Sequence, residues 1–188
     1  YKKIVSKFSK INSEKDLKNF IQERSAHVTQ TTLYGYLKTR MGHKFTLMVE
    51  DEEFSKSINL AKWNIYMIAL ADCTFYVFSY LISQKNLQKN NSQKIFLEII
   101  ENEKKNGLSE EIYNKAKTEF LKRSESVDFK TYFLDDPFKE SGLALFNWSP
   151  IADELKNLDK KIVLNSIKLK WNLIVEEFKK MTIDLKFS

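Results

Sequence analysis

Apolar residues recur every three or four positions along most of the chain, which is the spacing of one face of an α-helix. Serine residues, which cap helix starts, and glycine residues, which close helix ends, divide this pattern into segments. We therefore expect five main helices with these bounds: from after Ser13 to Met41 with Gly42 following, about 51–84, Ser92 to about Lys105 with Gly107 following, Ser109 onward, and Ser149-Pro150 to about Leu185.

The last predicted helix has the most regular apolar spacing. Its apolar residues are separated alternately by three and four positions: Leu164, Ile167, Trp171, Ile174, Phe178, Met181 and Leu185. This spacing predicts a seam, residues 164–185, that packs against another helix. We expect the seam, with Trp171 and Phe178 as its largest members, to pack on the chain's own core. The alternative is that it binds a protein partner or forms a homodimer.

Residues 65–82 form the most apolar stretch, with one charge in 18 residues, at Asp72. The length barely reaches that of a membrane-spanning helix, and an aspartate near the middle costs about 2.5–3.5 kcal/mol on insertion. A helix that is apolar on all sides is also typical of the centre of a globular bundle. We expect the helix over about 51–84 to be such a central helix, with peripheral membrane contact as the alternative.

Residues 124–148 combine turn-forming residues with six aromatic ones: Phe129, Tyr132, Phe133, Phe138, Phe146 and Trp148. We expect an aromatic-rich irregular loop here that covers one end of the bundle. Loops of this length are often lids or binding loops, and the simpler interpretation is a loop held to the bundle by its aromatic side chains. Phe133 and Trp148 are the candidates for contact with a partner. Asp135 and Asp136 are interpreted as a solvated turn before Pro137.

Glycine and proline are rare, with 4 and 2 of 188 residues, which is about 3% against an ordinary share of roughly 12%. Tight turns depend on these residues, so many-stranded barrels, sandwiches and glycine-loop nucleotide-binding folds are disfavoured. The hydrophobic share of 43% is sufficient for a core. We therefore expect an all-α, single-domain bundle over residues 1–188, with a flexible N-terminal segment over residues 1–12.

The net charge is +6, and 28 of the 31 basic residues are lysines. Lysine lacks the planar fork with which arginine recognises phosphates and base edges, so a nucleic-acid partner is not expected. We interpret the excess as a solvated surface of biased composition, and an anionic partner such as a small molecule is the alternative.

Cys73 is the only cysteine, which excludes an internal disulfide and a cysteine-based zinc cluster. Residues 1–8 show no long apolar run of a secretory signal. Both observations favour a reducing, cytoplasmic location, with membrane association as the alternative.

Asp72 lies among apolar residues, and a buried carboxylate needs a charged or hydrogen-bonding partner. The first predicted helix offers candidates in one stripe along its face: Arg24, His27, Thr31, Gly35 and Lys38, with Tyr34 beside them. We expect this stripe to face the core and to converge on Asp72. Three interpretations stay open, namely a charge-paired core, a pocket for an anionic ligand, and a catalytic site. Gly35 costs about 1 kcal/mol in mid-helix, which suggests close approach by a backbone or a ligand.

Standard catalytic and cofactor motifs are missing from the sequence. It contains no Gly-x-Ser-x-Gly elbow, no P-loop, no Rossmann glycine fingerprint and no Glu-x-x-His pair. With His27 and His43 as the only histidines, we expect no metal and no cofactor. A nucleophilic pair of Cys73 with His27 is the alternative to a small core thiol, which we favour.

Two blocks of the chain carry a resemblance. Residues 23–42, ERSAHVTQTTLYGYLKTRMG, and the run that begins SINLAKW at Ser57 and continues to Asp72 resemble a small family of helical proteins from alphaproteobacteria. The resemblance covers about residues 20–80. Some members of that family are labelled esterase, and no catalytic residue is carried over because the chain has no nucleophile elbow. The resemblance implies a bacterial source, in agreement with the lysine bias.

These observations favour a helical binding or interaction module, with a polar pocket or partner groove around the first helix and Asp72. The alternative is a small, esterase-like hydrolase that uses the same region. A further alternative is a peripheral membrane or respiratory-assembly accessory protein, which would explain the lysine excess and the aromatic segments.

Overall fold

The computed structural model describes residues 10–185. Within them the chain forms these helices: α1 Glu14–Met41, α2 Lys44–Val49, α3 Glu52–Lys85, α4 Ser92–Glu103, α5 Glu110–Ser126, α6 Lys139–Trp148 and α7 Asp153–Met181. Two short 3-10 turns, Lys104–Asn106 and Tyr132–Leu134, complete the secondary structure, and no strand occurs in the described part. The prediction of an all-α bundle is confirmed.

Three helices start where the sequence predicts, and each has a side-chain cap. Ser13 Oγ accepts a hydrogen bond from the backbone N–H of Asp16 at 3.1 Å, and Ser109 Oγ accepts from Ile112 at 3.3 Å. At the start of α3 the Asp51 carboxylate accepts from the N–H of Phe54 at 2.8 Å. The sequence predicts these helix starts correctly because each capping side chain and the amide that it binds lie only three residues apart.

Two predicted starts are wrong. Ser92 is the first residue of α4 rather than its cap, and the Asn90 side chain accepts from the Ser92 N–H at 3.0 Å. The last helix starts at Asp153, with Ala152 before it, instead of at Ser149 and Pro150. The reason is that Ser149 belongs to the end of α6, where its hydroxyl donates to the carbonyl of Leu145 at 2.6 Å.

The 124–148 segment is more ordered than predicted. α5 continues to Ser126, and the rest contains the Tyr132–Leu134 turn and the whole of α6. Gly142 lies within α6, where a Cβ atom would meet Leu164 Cδ2 at 3.3 Å. A glycine there lets α6 lie close against α7, so the residue that resembled a loop former has a packing role.

α3 is the central helix, as expected, and it contacts α1, α2, α4, α5, α6 and the Tyr132–Leu134 turn. By length and composition α3 is the one helix between residues 10 and 185 that could cross a membrane. In the folded chain 83% of its most apolar window is buried against the other helices. The core helix of a bundle and a spanning segment share this composition.

The seam of α7 packs inward on α1 and α6. Ile167, Trp171 and Phe178 are 2%, 1% and 0% exposed, and the Phe178 ring lies 5.0 Å from the ring of Phe20 in α1. Trp171 and Phe178 are therefore core residues, and Trp171 also forms part of the wall of a groove described below.

Of the predicted flexible segment 1–12, residues 1–9 lie outside the described residues. Ile11 is buried, and its N–H donates to the Met181 carbonyl at the end of α7 at 3.2 Å.

Candidate functional site

Asp72 lies in the middle of α3 with no exposed surface, and both of its carboxylate oxygens are bonded. Oδ1 accepts a hydrogen bond from Arg123 Nη2 of α5 at 2.6 Å. Oδ2 accepts from the backbone N–H of Ser141 at 2.7 Å and from Ser141 Oγ at 2.8 Å. The expected partner of the buried carboxylate exists, but it is Arg123 with Ser141 and not a group of the first helix.

The contact with Ser141 completes the first turn of α6. Phe138, at the position before that helix, has no side chain able to cap it, and the Asp72 carboxylate takes this role from α3. Burial raises the pKa of Asp72 above its usual range, and the Arg123 charge and the bonds from Ser141 oppose that shift. The network therefore joins three helices, and its polar groups are used in holding them together.

The stripe of α1 that was expected to face Asp72 faces outward instead. Arg24 donates through Nε and Nη2 to the two carboxylate oxygens of Glu177 in α7, at 2.9 and 2.6 Å. His27 and Lys38 are exposed, and half-buried Thr31 donates to the carbonyl of His27 at 2.8 Å. The predicted convergence of Arg24, His27 and Lys38 on Asp72 is therefore wrong.

The neighbours of that stripe are also at the surface. Gly35 is exposed, and nothing lies within 4 Å of the position that a Cβ atom would take. Tyr34 is half-buried, and its ring meets that of Phe45 edge to face at 6.4 Å. The close approach proposed for Gly35 does not occur, and the pocket predicted between the first two long helices is not formed at these residues.

The inward face of α1 carries small polar and apolar side chains: Ser25, Val28, Thr29, Thr32, Leu33 and Leu37. Thr32 Oγ1 donates to the carbonyl of Val28 at 2.7 Å, within its own helix. A hydroxyl that is satisfied in this way can face a neighbouring helix at little cost. Thr29 Oγ1 on the same face is buried without a hydrogen-bond partner among residues 10–185, so the polar part of this face packs against α3 at some cost.

The candidate nucleophiles are inaccessible. Cys73 is 1% exposed, and burial raises the pKa of its thiol to about 12, so the reactive thiolate is absent at neutral pH. Ser141 is fully buried, and its hydroxyl bonds to Asp72. Among residues 10–185 no group of three His, Cys, Asp or Glu side chains is placed to hold a metal ion.

A groove of about 680 Å³ lies between the 133–143 segment and α7, and we call it the α6–α7 groove. Its aromatic lining comes from Tyr76 of α3, Phe133, Phe138 and Trp171. The Phe138 ring stacks on the Trp171 ring at 4.2 Å, and Tyr76 lies 5.3 Å from Phe138. The volume is in the range of small-molecule sites in proteins.

Two buried polar atoms of the groove residues have no hydrogen-bond partner among the described residues: the Tyr76 hydroxyl and Trp171 Nε1. Tyr76 is 3% exposed and Trp171 is 1% exposed. Burial raises the pKa of Tyr76, so its hydroxyl stays protonated and can donate. An unpaired buried donor costs about 1–3 kcal/mol, so two of them beside one groove need an explanation.

Lysines stand at the edge of the α6–α7 groove. Lys139, Lys168 and Lys179 line it, and Lys168 Nζ lies 3.5 Å from the Asp136 carboxylate. Asp136 belongs to the acidic pair that was interpreted as a solvated turn, and it is 55% exposed there. The groove therefore combines an aromatic lining with a mostly cationic rim.

The partner-contact candidates of the aromatic segment have different places. Phe133 is half-buried and lines the α6–α7 groove, and its N–H donates to Ser79 Oγ of α3 at 3.0 Å. Trp148 is half-buried at the end of α6, with Lys115 Nζ 5.0 Å from its ring centre. Both side chains hold the segment to the bundle, as the simpler interpretation of the loop expects.

Sequence reasoning missed Tyr76 and Arg123, although a signal existed for Arg123. The chain has three arginines among 31 basic residues, and each pairs with an acid on another helix: Arg24 with Glu177, Arg40 with Asp159, and Arg123 with Asp72. The planar guanidinium suits such contacts better than an ammonium does. In this lysine-rich chain the three arginines thus mark ion pairs between helices.

Comparison of the chain with protein-family models, with curated proteins and with solved structures gave no match. The resemblance of residues 20–80 to an alphaproteobacterial family stays a prediction.

Proposed function

We propose that the protein is a helical binding module whose site is the α6–α7 groove rather than the face of the first helix. The observation that carries the proposal is the pair of unpartnered donors, the Tyr76 hydroxyl and Trp171 Nε1, on residues that line one groove. Both atoms have almost no exposed surface, so small side-chain shifts would have to open them to the groove. A ligand with acceptor oxygens would then satisfy both donors.

The lining limits the chemistry of the ligand. Trp171 Nε1 only donates, so its partner must be an oxygen or another acceptor. The aromatic rings of Phe133 and Phe138 suit an apolar body, and Lys168 and Lys179 at the rim suit a negative charge. We therefore assign the groove to an elongated apolar molecule with a carboxylate group, such as a medium-chain fatty acid.

Decanoate is a suitable probe, measured by isothermal titration calorimetry against decanol, its uncharged analogue. Tyr76→Phe removes one donor and keeps the ring, so decanoate affinity should fall by about tenfold to a hundredfold, the worth of one hydrogen bond to a charged group. Folding stability should stay the same or rise, because the variant no longer buries an unpaired hydroxyl. Tyr80→Phe, one turn further along α3, is the matched control, and it should leave affinity unchanged.

The indole N–H signal of Trp171 in a proton–nitrogen NMR spectrum is a second readout, assigned by its loss in Trp171→Phe. It should shift on addition of decanoate. The proposal is overturned if decanoate does not bind, if decanol binds equally well, or if Tyr76→Phe and Tyr80→Phe bind decanoate alike. An indole signal that does not move would overturn the assignment to this groove.

A further inference from the structure

The outer face of α7 carries a row of exposed apolar residues, which we call the α7 leucine stripe: Leu155, Leu158, Ile162, Leu169 and Leu173. Their side chains are between 42% and 77% exposed. At 100° per residue all five lie within an arc of about 60°, and they extend for about 27 Å along the helix. The buried seam occupies the other side of α7, so the helix has two apolar faces and the bundle covers only one.

The stripe is larger than scattered surface leucines would produce. Its exposed area is on the order of 500 Å², a size at which apolar patches on soluble proteins are often functional. The helix is already folded, so binding through this face needs no ordering of the backbone. Among residues 10–185 nothing covers the stripe.

Lysines flank the stripe on both sides. Lys161 and Lys168 lie along one edge and Lys170 along the other, and all three are exposed. Lys161 and Lys170 make no ion pair within the described part of the chain, whereas Lys168 contacts Asp136. Their long side chains can reach past the apolar row while their charges stay in water.

The acidic residues of α7 next to the stripe are largely neutralised. Asp159 and Glu177, on the edge toward α1, are paired with Arg40 and Arg24 of that helix. Glu176 lies beyond Leu173 in line with the stripe, and its carboxylate is 3.1 Å from Lys179 Nζ. Glu154, near the start of the helix, is the exposed acid that remains. The open charge around the stripe is therefore positive.

A second copy of the chain is a poor occupant. An antiparallel α7–α7 pair that matched Leu158 with Leu169 of the other copy would bring Lys161 near Lys168 of that copy, and like charges there are destabilising. The stripe also offers less than the roughly 800 Å² that each partner of a standard interface buries. Charge and area thus favour a negatively charged surface over self-association.

We propose that the α7 leucine stripe docks the protein on an anionic membrane surface, with α7 lying parallel to the interface. In this arrangement the five apolar side chains enter the acyl boundary by about 5–10 Å, as in other interfacial amphipathic helices. Lys161, Lys168 and Lys170 reach the headgroups, where each basic residue strengthens binding. The stripe and the α6–α7 groove share Lys168 at their common edge, but none of the five apolar side chains of the stripe lines the groove, so variants of these side chains test this inference separately from the ligand proposed above.

Co-sedimentation with lipid vesicles tests the proposal, with mixed phosphatidylcholine and phosphatidylserine vesicles compared with phosphatidylcholine alone. The wild-type chain should bind the mixed vesicles and release them at high salt. Ile162→Ser with Leu169→Ser changes two residues that are 71% and 66% exposed. The double variant should weaken binding by about tenfold or more while the circular dichroism spectrum stays unchanged. Leu47→Ser with Leu60→Ser changes exposed leucines of α2 and α3, away from both the stripe and the groove, and this control should bind as the wild type does.

The charge argument is tested separately by Lys161→Glu with Lys170→Glu, which should abolish the preference for phosphatidylserine. The proposal is overturned if the wild-type chain binds both kinds of vesicle equally. It is also overturned if the stripe variant and the control variant lose vesicle binding to the same extent. Sedimentation of the protein alone provides the remaining outcome: a dimer that the stripe variant abolishes would assign the stripe to a second copy, and the membrane assignment would be wrong.

Discussion

Replacement of Asp72 by asparagine is the sharpest test of the buried network. Asparagine has nearly the same shape, so the change removes the negative charge without opening a cavity. Its oxygen can still accept from the Ser141 N–H, as Asp72 does at 2.7 Å. Its amide group then faces Arg123, which can only donate.

The expected decrease in the free energy of unfolding depends on how deeply Asp72 and Arg123 are buried. Breaking a buried ion pair by removing one member typically costs 3–5 kcal/mol, because the other charge stays desolvated. The Arg123 side chain is 28% exposed and can partly rehydrate, which places the expected loss near the lower end, about 3 kcal/mol. For a chain of this size that corresponds to a melting temperature lower by roughly 6–12 °C.

Urea unfolding followed by far-ultraviolet circular dichroism measures the loss. Asp135→Asn makes the same chemical change on an exposed carboxylate, and it should stay within about 0.5 kcal/mol of the wild type. Arg123→Met removes the other partner, and the double variant should be less destabilised than the sum of the single ones. Decanoate binding should persist in folded Asp72→Asn, because the network lies outside the α6–α7 groove.

A decrease of less than about 1 kcal/mol in the free energy of unfolding of Asp72→Asn would refute the predicted cost of breaking this buried ion pair. A decrease equal to that of Asp135→Asn would refute it as well. Strictly additive effects of Asp72→Asn and Arg123→Met would do so as well, since they would show that the two groups do not interact.

Two further predictions concern α1 and its ion pair with α7. Gly35→Ala should stabilise the protein by about 0.5–1 kcal/mol in urea unfolding, because alanine is the better helix former and nothing lies within 4 Å of its Cβ position; a destabilised variant would contradict the open environment of this residue. Asp159→Asn should destabilise the protein at neutral pH and progressively less in acid. Hydrogen bonds from Arg40 and Tyr36 lower the pKa of Asp159, so its contribution is present above its ordinary pKa of about 4 and is lost as the pH falls through the folded value. A difference between variant and wild type that did not change between neutral and acid pH would show that the carboxylate is not paired.

The helix starts illustrate how far the sequence alone determines local structure. Ser13, Asp51 and Ser109 each cap an amide three residues away, and within residues 10–185 no other helix binds these side chains. Ser149 fails as a cap because the preceding helix takes its hydroxyl. Local signals are thus reliable where one partner is within reach, and they fail where two helices adjoin the same residue.

The orientation of α1 could not be read from its sequence. Two of its faces carry plausible inward residues, one with Arg24 and His27 and the other with Leu33 and Leu37. Only packing against α3 and α7 selects between them, because the small side chains of the second face fit α3 while Arg24 reaches Glu177 at the boundary.

The sequence by itself determined the all-α class, the central apolar helix and the need for a partner to Asp72, since these follow from composition, periodicity and the cost of burying a charge. The tertiary structure decided that the partner is Arg123, 51 residues further along the chain. It also placed the unpaired donors of Tyr76 and Trp171 beside one groove and left the outer face of α7 uncovered. Each of these depends on which helices meet, and contacts between distant segments leave no periodic trace along the chain.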